Sequence, residues 1–419
     1  MGQYIPYITL SKKEPLKLDA ILSYKINVHG LMIDLRRFYG KDLSSTRELI
    51  AKILHNNPNA IIIADPRADA FQADSSIRLK IKSLRNIYSL AGYSTQDLLE
   101  DNKFSPAYID SVLDKFIKNM IAKLQWHKIQ GSGVKLPYIL SPYFVTFNYN
   151  DGWYQLTRKA IEITKKTIED DTKILAPVAI HKKILENEIN VRKIINDYAS
   201  MDVYGYVILP FNLDETSDTE TKLRNLTLLA TGLKKTGKFV VVHTAEFGNV
   251  LVSLGIDAIT CGICTRKTPY MFRVFDDGLA EIARAEVHLY IHKIFKKLHP
   301  TKFYKFTQLI PNAYSCDCPI CSEYTGSYYD MLEEAGYTDF SVHYIYWKNK
   351  EMQQYSGKPD ELLKDLSQCR MLLKAYNEAV KDEVFFIEDN KYLYQIHENY
   401  VDRWISVLRT FSQSDSTRT

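Results

Sequence analysis

The sequence predicts an α/β fold, a (β/α)8 barrel, on three observations. Seven or eight short runs of β-branched and aromatic residues are bounded by breakers, as buried parallel strands are. Stretches with helical periodicity lie between them, and a count this high favours a closed barrel over an open doubly wound sheet. The chain has 419 residues, 46% hydrophobic and 25% charged, enough to bury one large domain with additions or two ordinary ones.

In chain order the expected strands are GLMIDLR from Gly30, AIIIADP from Ala60, PYILSPYFV from Pro137, KILAPVAI from Lys173, YGYVILPF from Tyr204, KFVVVHTA from Lys238 and DAITCGIC from Asp257. The eighth is YKFTQLI from Tyr304. Helices are predicted over 45–56, 108–126, 219–235 and 278–298, where apolar residues recur at helical spacing. From about residue 350 the chain reads as helices, ending in a disordered tail, SQSDSTRT. The domain reading is a barrel with an N-terminal extension over 1–310, a zinc-binding subdomain over 311–349, a helical segment over 350–411 and the tail 412–419.

No apolar run approaches the roughly 20 residues of a membrane span. The opening, MGQYIPYITLSKKEP, lacks the sections of a secretory leader, so the expected setting is cytoplasmic, with no membrane partner. Thiols stay reduced there, and clustered cysteines read as metal ligands before disulfides. The net charge of +4 points weakly to an anionic partner. No glycine-rich loop follows the first strands, which argues against a dinucleotide or nucleoside triphosphate cofactor.

Barrel chemistry belongs at the C-terminal ends of the strands. Those ends carry Asp34, then Asp65 and Asp69, then Asn212 and Asp214, then His243 and Glu246, then Thr260 and Cys261. A separate cluster lies in SCDCPICSEY, where Cys316, Cys318 and Cys321 are spaced C-x-C-x2-C, and His343 follows after 21 residues that hold a plausible helix. Three thiolates and one imidazole make a closed tetrahedral zinc site, which supports folding rather than catalysis. Cys261 and Cys264, on a predicted buried strand, read as core thiols.

The C-x-C-x2-C run, the helix, and a histidine within AGYTDFSVHYIYWKNKEM together resemble the zinc subdomain of the guanine transglycosylases, which is inserted late in a (β/α)8 barrel. GIDAITCGICTR at 255–266 is similar to that family's strand-seven block, and IIIADPRADAFQ at 61–72 to its second block. YGYVILPFNLDE sits where the family has a glycine-rich strand, and the likeness runs over roughly residues 30–350.

The resemblance implies base exchange: a guanine in a nucleic acid is replaced by a 7-deazaguanine such as preQ0, through a covalent aspartyl-glycosyl intermediate. That chemistry needs an ionised carboxylate below the sugar, a second group to move protons, and an aromatic-walled pocket for the extruded base. Carried over residue by residue, Asp65 matches the proton-shuttling aspartate. Asp69 is its alternative, because the interval to Phe71 is two residues longer than in the family. Phe71 and Gln72 match the base-stacking pair. The nucleophile's position holds Thr260, so Asp257 is the expected substitute, with Asp214 and Glu246 as alternatives. Pro210-Phe211 and Ala179-Ile180 replace the family's base-reading pairs, which implies a reshaped pocket.

Basic residues interleaved with aromatics in HKIFKKLHPTKFYKF (292–306) and RLKIKSLR (78–85) suit phosphate contacts. Arg78, Lys80, Lys296 and Lys297 are expected among them, together with Arg266 of the strand-seven block. The departures resemble the branch of the family that modifies DNA in phages and bacteria, so DNA is the expected polymer, with tRNA as the alternative. A non-catalytic, zinc-stabilised nucleic-acid-binding or partner subunit is the reading from another class. Family members are often homodimers through the zinc region, and the resemblance extends that expectation here.

Overall fold

The computed structural model describes residues 2–8, 14–39, 42–80, 84–125, 136–168, 171–262, 288–310, 316–324, 337–383 and 394–416. Eight parallel strands close a barrel in chain order. They are β1 (Gln3–Ile8), β2 (Gly30–Asp34), β3 (Ile61–Asp65), β4 (Tyr138–Leu140), β5 (Lys173–His181), β6 (Gly205–Phe211), β7 (Phe239–His243) and β8 (Ala258–Gly262). The barrel closes where β8 pairs with β1, Thr260 opposite Ile5.

The strands expected from Gly30 to Asp257 are β2 to β8. The eighth expectation fails. YKFTQLI lies in a helix, Pro300–Leu309, that the His299 side chain caps by accepting from the Thr301 amide at 3.3 Å. Proline at the first helical position and a cap before it start a helix whatever the β propensity that follows. Phe303 and Phe306, three apart, are its buried face. The missing strand is β1, in the stretch expected to be an N-terminal extension. Pro6 has no N–H for the ladder, and a proline inside an apolar run argues against a strand.

Among the described residues, α1 (Glu14–Ser23) and α2 (Asp42–Asn56) follow β1 and β2. Between β3 and β4 stand α3 (Ser75–Lys80), α4 (Arg85–Ala91) and α5 (Pro106–Gln125). Then come α6 (Gly152–Thr167), α7 (Glu188–Ala199), α8 (Glu220–Lys234) and α9 (Gly248–Ser253), one after each strand from β4 to β7. Side-chain caps begin several of them: Asp151 accepts from the Tyr154 amide at 2.8 Å and Asn187 from the Ile189 amide at 2.9 Å.

Past β8 the described chain resumes in an antiparallel hairpin, β9 (Leu289–Ile291) and β10 (Lys296–Leu298). The helix expected over 278–298 is therefore absent from 289 onward. Phe295, at φ 47, takes the left-handed conformation that turns the chain between the two strands. Residues 278–287 lie outside the described residues. Then follow α10 (Pro300–Leu309), α11 (Pro319–Glu323), α12 (Tyr337–Tyr355), α13 (Pro359–Glu383) and α14 (Asn399–Ser416). Helix α12 packs on β1, α1 and α9, which is the ring position between β8 and β1. The cysteine cluster thus belongs to an excursion between β8 and the helix that closes the ring.

Alternation along the strands decides what faces the barrel axis. Ile5, Tyr7, Met32, Ile61, Ile63, Leu140, Leu175, Val207, Leu209, Val241 and Ala258 form one interior cluster. Tyr4, Leu31, Ile62, Val240 and Ile259, one residue out of phase, pack into the surrounding shell. The same phase places Asp34, Asp65, His181, His243 and Thr260 inward, all but Thr260 at a strand's last residue. No helix among the described residues is long and apolar enough to cross a membrane.

Candidate active site and metal centre

Three carboxylates and two guanidiniums meet at the C-terminal ends of β2 and β3. Asp34 ends β2, and both its oxygens accept from Arg36 Nε, at 2.9 and 3.0 Å. Arg67 reaches Asp34 at 3.3 Å and holds Asp69 through two bonds of 2.9 Å. A bidentate fork of this kind fixes geometry as well as charge. Arg67 has φ 54, the left-handed region, which costs a non-glycine residue on the order of 1 kcal/mol and here aims the guanidinium back over the strand ends.

Asp65 ends β3, fully buried, and is the third carboxylate. Its side-chain partners are hydroxyls: Tyr7 donates at 2.7 Å and Tyr143 at 3.0 Å, while the Arg67 backbone amide donates at 3.0 Å. Burial pushes its pKa up to about 6, against the pull of Arg67 and with the push of Asp69 and Asp34. Asp34 behaves oppositely: burial would raise it, but Arg36 and Arg67 hold it below the usual carboxylate range. Asp65 is thus the carboxylate of the cluster that no side-chain guanidinium neutralises by direct contact among the described pairs.

Across the barrel, His243 ends β7 and pairs in register with Thr260 of β8. The Tyr7 ring meets the His243 ring edge-on at 5.8 Å. Burial, with Arg67 adding to it, pushes His243 down to about 3, so the imidazole is neutral. On the β4–β6 side, Phe147 stacks on His181 at 5.1 Å, and Asn212, at φ 60, brings its side chain within 3.3 Å of the His181 ring. Phe147 and His181 are both half-buried, an aromatic surface at the rim.

The structure places the other expected site residues elsewhere. Asp257 precedes β8 and so lies at the N-terminal end of the barrel, where it accepts from Lys234 Nζ at 2.7 and 2.8 Å and from the Val240 amide at 2.8 Å. It cannot meet Asp65 at the other end. Asp214 accepts from the amide and hydroxyl of Thr216, both at 2.8 Å, shaping the loop after β6. Glu246 is buried in the loop after β7, its Oε1 without a hydrogen-bond partner among the described residues. Burial first, then neighbouring negative groups including Glu246, push the Tyr290 and Tyr344 hydroxyls up, and both tyrosines stand outside the barrel wall.

Phe71 is buried among Tyr88, Tyr93, Phe104 and Phe116, with centroids 5.1 to 6.3 Å away, and is a core aromatic rather than an open platform. Gln72 clamps the segment after β4, donating to the Val145 carbonyl at 2.9 Å and accepting from its amide at 2.6 Å. Arg78 is 2% exposed, donates to the Leu98 carbonyl at 3.1 Å, lies 3.7 Å over the Phe104 ring and pairs with Asp101. Lys297 is buried with Nζ 3.6 Å over Tyr344, and Lys296 stands 4.5 Å over Tyr400. Interleaved aromatics here hold the cations inside the fold, so neither Arg78 nor Lys297 contributes to a phosphate-facing surface. Lys80 is the last residue of α3, and Arg266 lies outside the described residues.

The four residues expected as metal ligands do come together. The ligand atoms of Cys316, Cys318, Cys321 and His343 all lie within 4.8 Å of one another, and the three cysteines are free thiols. His343 Nδ1 is 3.7, 3.2 and 3.3 Å from the three sulfurs in chain order. Bonds of about 2.3 Å to sulfur and 2.0 Å to nitrogen in a tetrahedron put that edge at roughly 3.5 Å, so the donor set fits one ion. His343 Nε2 lies 2.8 Å from the Tyr290 carbonyl, which fixes Nε2 as the protonated nitrogen and leaves Nδ1 as the ligand. Trp347 Nε1 donates to Cys316 Sγ at 3.1 Å, its ring stacked on His292 at 3.6 Å. Helix α12, which carries His343, is tied to the barrel by a buried network in which Lys348 donates to Asn249 and Glu351, both at 2.8 Å.

No family model matches the chain. No curated protein matches it either. Among solved structures, it is similar to the CBM22-1–GH10 modules of the Clostridium thermocellum endo-1,4-β-D-xylanase 10B bound to xylohexaose, at 10% identity and a TM-score of 0.37. That match covers 62% of this chain and 59% of the other, less than two thirds of its length. A likeness so slight adds nothing to the reading of the site.

Proposed function

We propose that the chain is a base-exchange glycosyltransferase that replaces guanine in DNA with a 7-deazaguanine, its Cys3His centre holding zinc. The observation that carries this reading is the place of the centre in the fold. Cys316, Cys318, Cys321 and His343 meet on an excursion between β8 and the ring-closing helix of a (β/α)8 barrel, the arrangement that the resemblance to the guanine transglycosylases implies. Such a centre is structural, since its four protein ligands leave no open position.

With Asp257 at the far end, Asp65 takes the nucleophile's role in this reading. It is ionised at neutral pH and held by Tyr7 and Tyr143. Its carboxylate bonds to C1′ as guanine leaves, and the incoming base displaces it from the same carbon, with two inversions and net retention. Phe147, stacked on His181, serves as the aromatic wall in place of Phe71. Thr260 at the family's nucleophile position favours a second reading, a non-catalytic nucleic-acid-binding subunit.

Incubation with labelled guanine and either duplex DNA or tRNA tests both. Label is expected in DNA, and its loss is expected in Asp65→Asn. Label in tRNA alone would exclude the DNA reading, and label in neither polymer would leave the non-catalytic one.

A further inference from the structure

We propose that His243 and Thr260 together read the ring amide of a nucleobase, the adjacent N–H and C=O of a lactam, at the mouth of the barrel. This rests on the base-exchange reading and names the edge by which the base is held.

His243 Nδ1 and Thr260 Oγ1 are both buried and have no hydrogen-bond partner among the described residues. They stand on adjacent strands in direct register, both on the inward phase, at the end where barrel ligands bind. The polar groups beside them differ in this respect: Asp34, Asp65, Asp69, Tyr7 and Tyr143 all have partners. Buried polar atoms without partners are uncommon and unfavourable, and two side by side in a barrel mouth point to a ligand that completes them.

The chemistry selects the ligand. A neutral imidazole offers one N–H and one lone pair, and a threonine hydroxyl both donates and accepts. A pair of this kind complements a neighbouring donor and acceptor. An anion would need a free cation, whereas Arg67, the cation closest in its effect on His243, is already held by Asp69 and Asp34. An apolar ligand would leave both atoms orphaned. Tyr7 links the pair to the reacting group, touching the His243 ring and donating to Asp65.

The test uses the full chain and two probes, guanine and 1-methylguanine, which lacks the ring N–H. Titration calorimetry on the parent is expected to show guanine bound at least ~10-fold more tightly, the worth of about one buried hydrogen bond. Thr260→Val keeps the shape and removes the hydroxyl. It is expected to weaken guanine ~10-fold, leave 1-methylguanine unchanged, and so abolish the preference. His243→Phe removes the partner of the ring carbonyl, which both probes carry, and is expected to weaken guanine and 1-methylguanine alike, leaving the preference in place. If that variant does not fold, Thr260→Val decides alone, its thermal melt and metal content serving as controls. A Thr260→Val protein with the parent's guanine affinity and preference overturns the inference while base exchange stands. A parent that neither binds guanine nor exchanges it overturns the base-exchange reading, and this inference with it.

Discussion

Replacing Asp65 with asparagine keeps the shape of the side chain and removes its charge. The carboxylate's ordinary value is 3.8 and burial carries it to about 6. Holding the charge at pH 7.5 therefore costs the folded protein about 3 kcal/mol relative to a neutral group. The sign follows from linkage. A raised folded-state pKa gives a contribution that is complete below about pH 4 and is lost as pH rises through 6. Asparagine is neutral throughout, so the variant should match the parent near pH 4 and exceed it by up to about 3 kcal/mol at pH 7.5. The Tyr7 hydroxyl, which now donates to Asp65, can turn to accept from the new amide. Urea unfolding of both proteins at pH 4.5 and 7.5 measures the gap. A variant less stable than the parent at pH 7.5, or a gap that does not grow with pH, would refute the argument. Exchange activity is expected to vanish in the same variant, and in the parent to rise with pH through about 6. A gain of stability with loss of activity is what a charge retained for function predicts.

Cys318→Ser should release the bound metal and change Trp347 fluorescence, since that indole donates to Cys316 Sγ. Elemental analysis is expected to find one zinc per parent chain and none in the variant, and a fully loaded variant would contradict the assignment. Lys348→Met should destabilise by about 3 kcal/mol, because it leaves Glu351 charged and buried. Adding Glu351→Met should recover most of that loss in denaturant titrations. Phe147→Ala is expected to weaken binding of the extruded base by about 1 kcal/mol or more without unfolding. Phe71→Ala should instead lower stability by about 3 kcal/mol or more, as loss of a core aromatic does; equal melting of the two variants would contradict the distinction.

The sequence carried the repeating parts of the fold plainly. GLMIDLR, AIIIADP and the later runs are short, β-branched and bounded, and they became β2 to β8. β1 was hidden by Pro6, which local reasoning takes as a break. In the barrel that strand is held from both sides, by β8 and by β2. YKFTQLI shows the reverse failure. Its β-rich composition is overridden by the His299-Pro300 helix start that precedes it.

Spacing alone marked the four candidate metal ligands, because three thiols within six residues and one histidine leave few ways to be satisfied. It also marked Asp65, since a strand's last inward residue in a barrel faces the mouth. What only the tertiary structure decided was company and direction. Asp257 and Thr260 stand three residues apart, yet the strand carries them to opposite halves of the barrel. Phe71 was a stacking platform by motif and became core because α4, α5 and the turns between them pack around it. Arg67, Tyr7 and Tyr143 are unremarkable in sequence, and the two tyrosines reach Asp65 from 58 and 78 residues away. Local pattern reports periodicity and element ends, whereas which charges meet, and which are left alone, depends on closing β8 against β1.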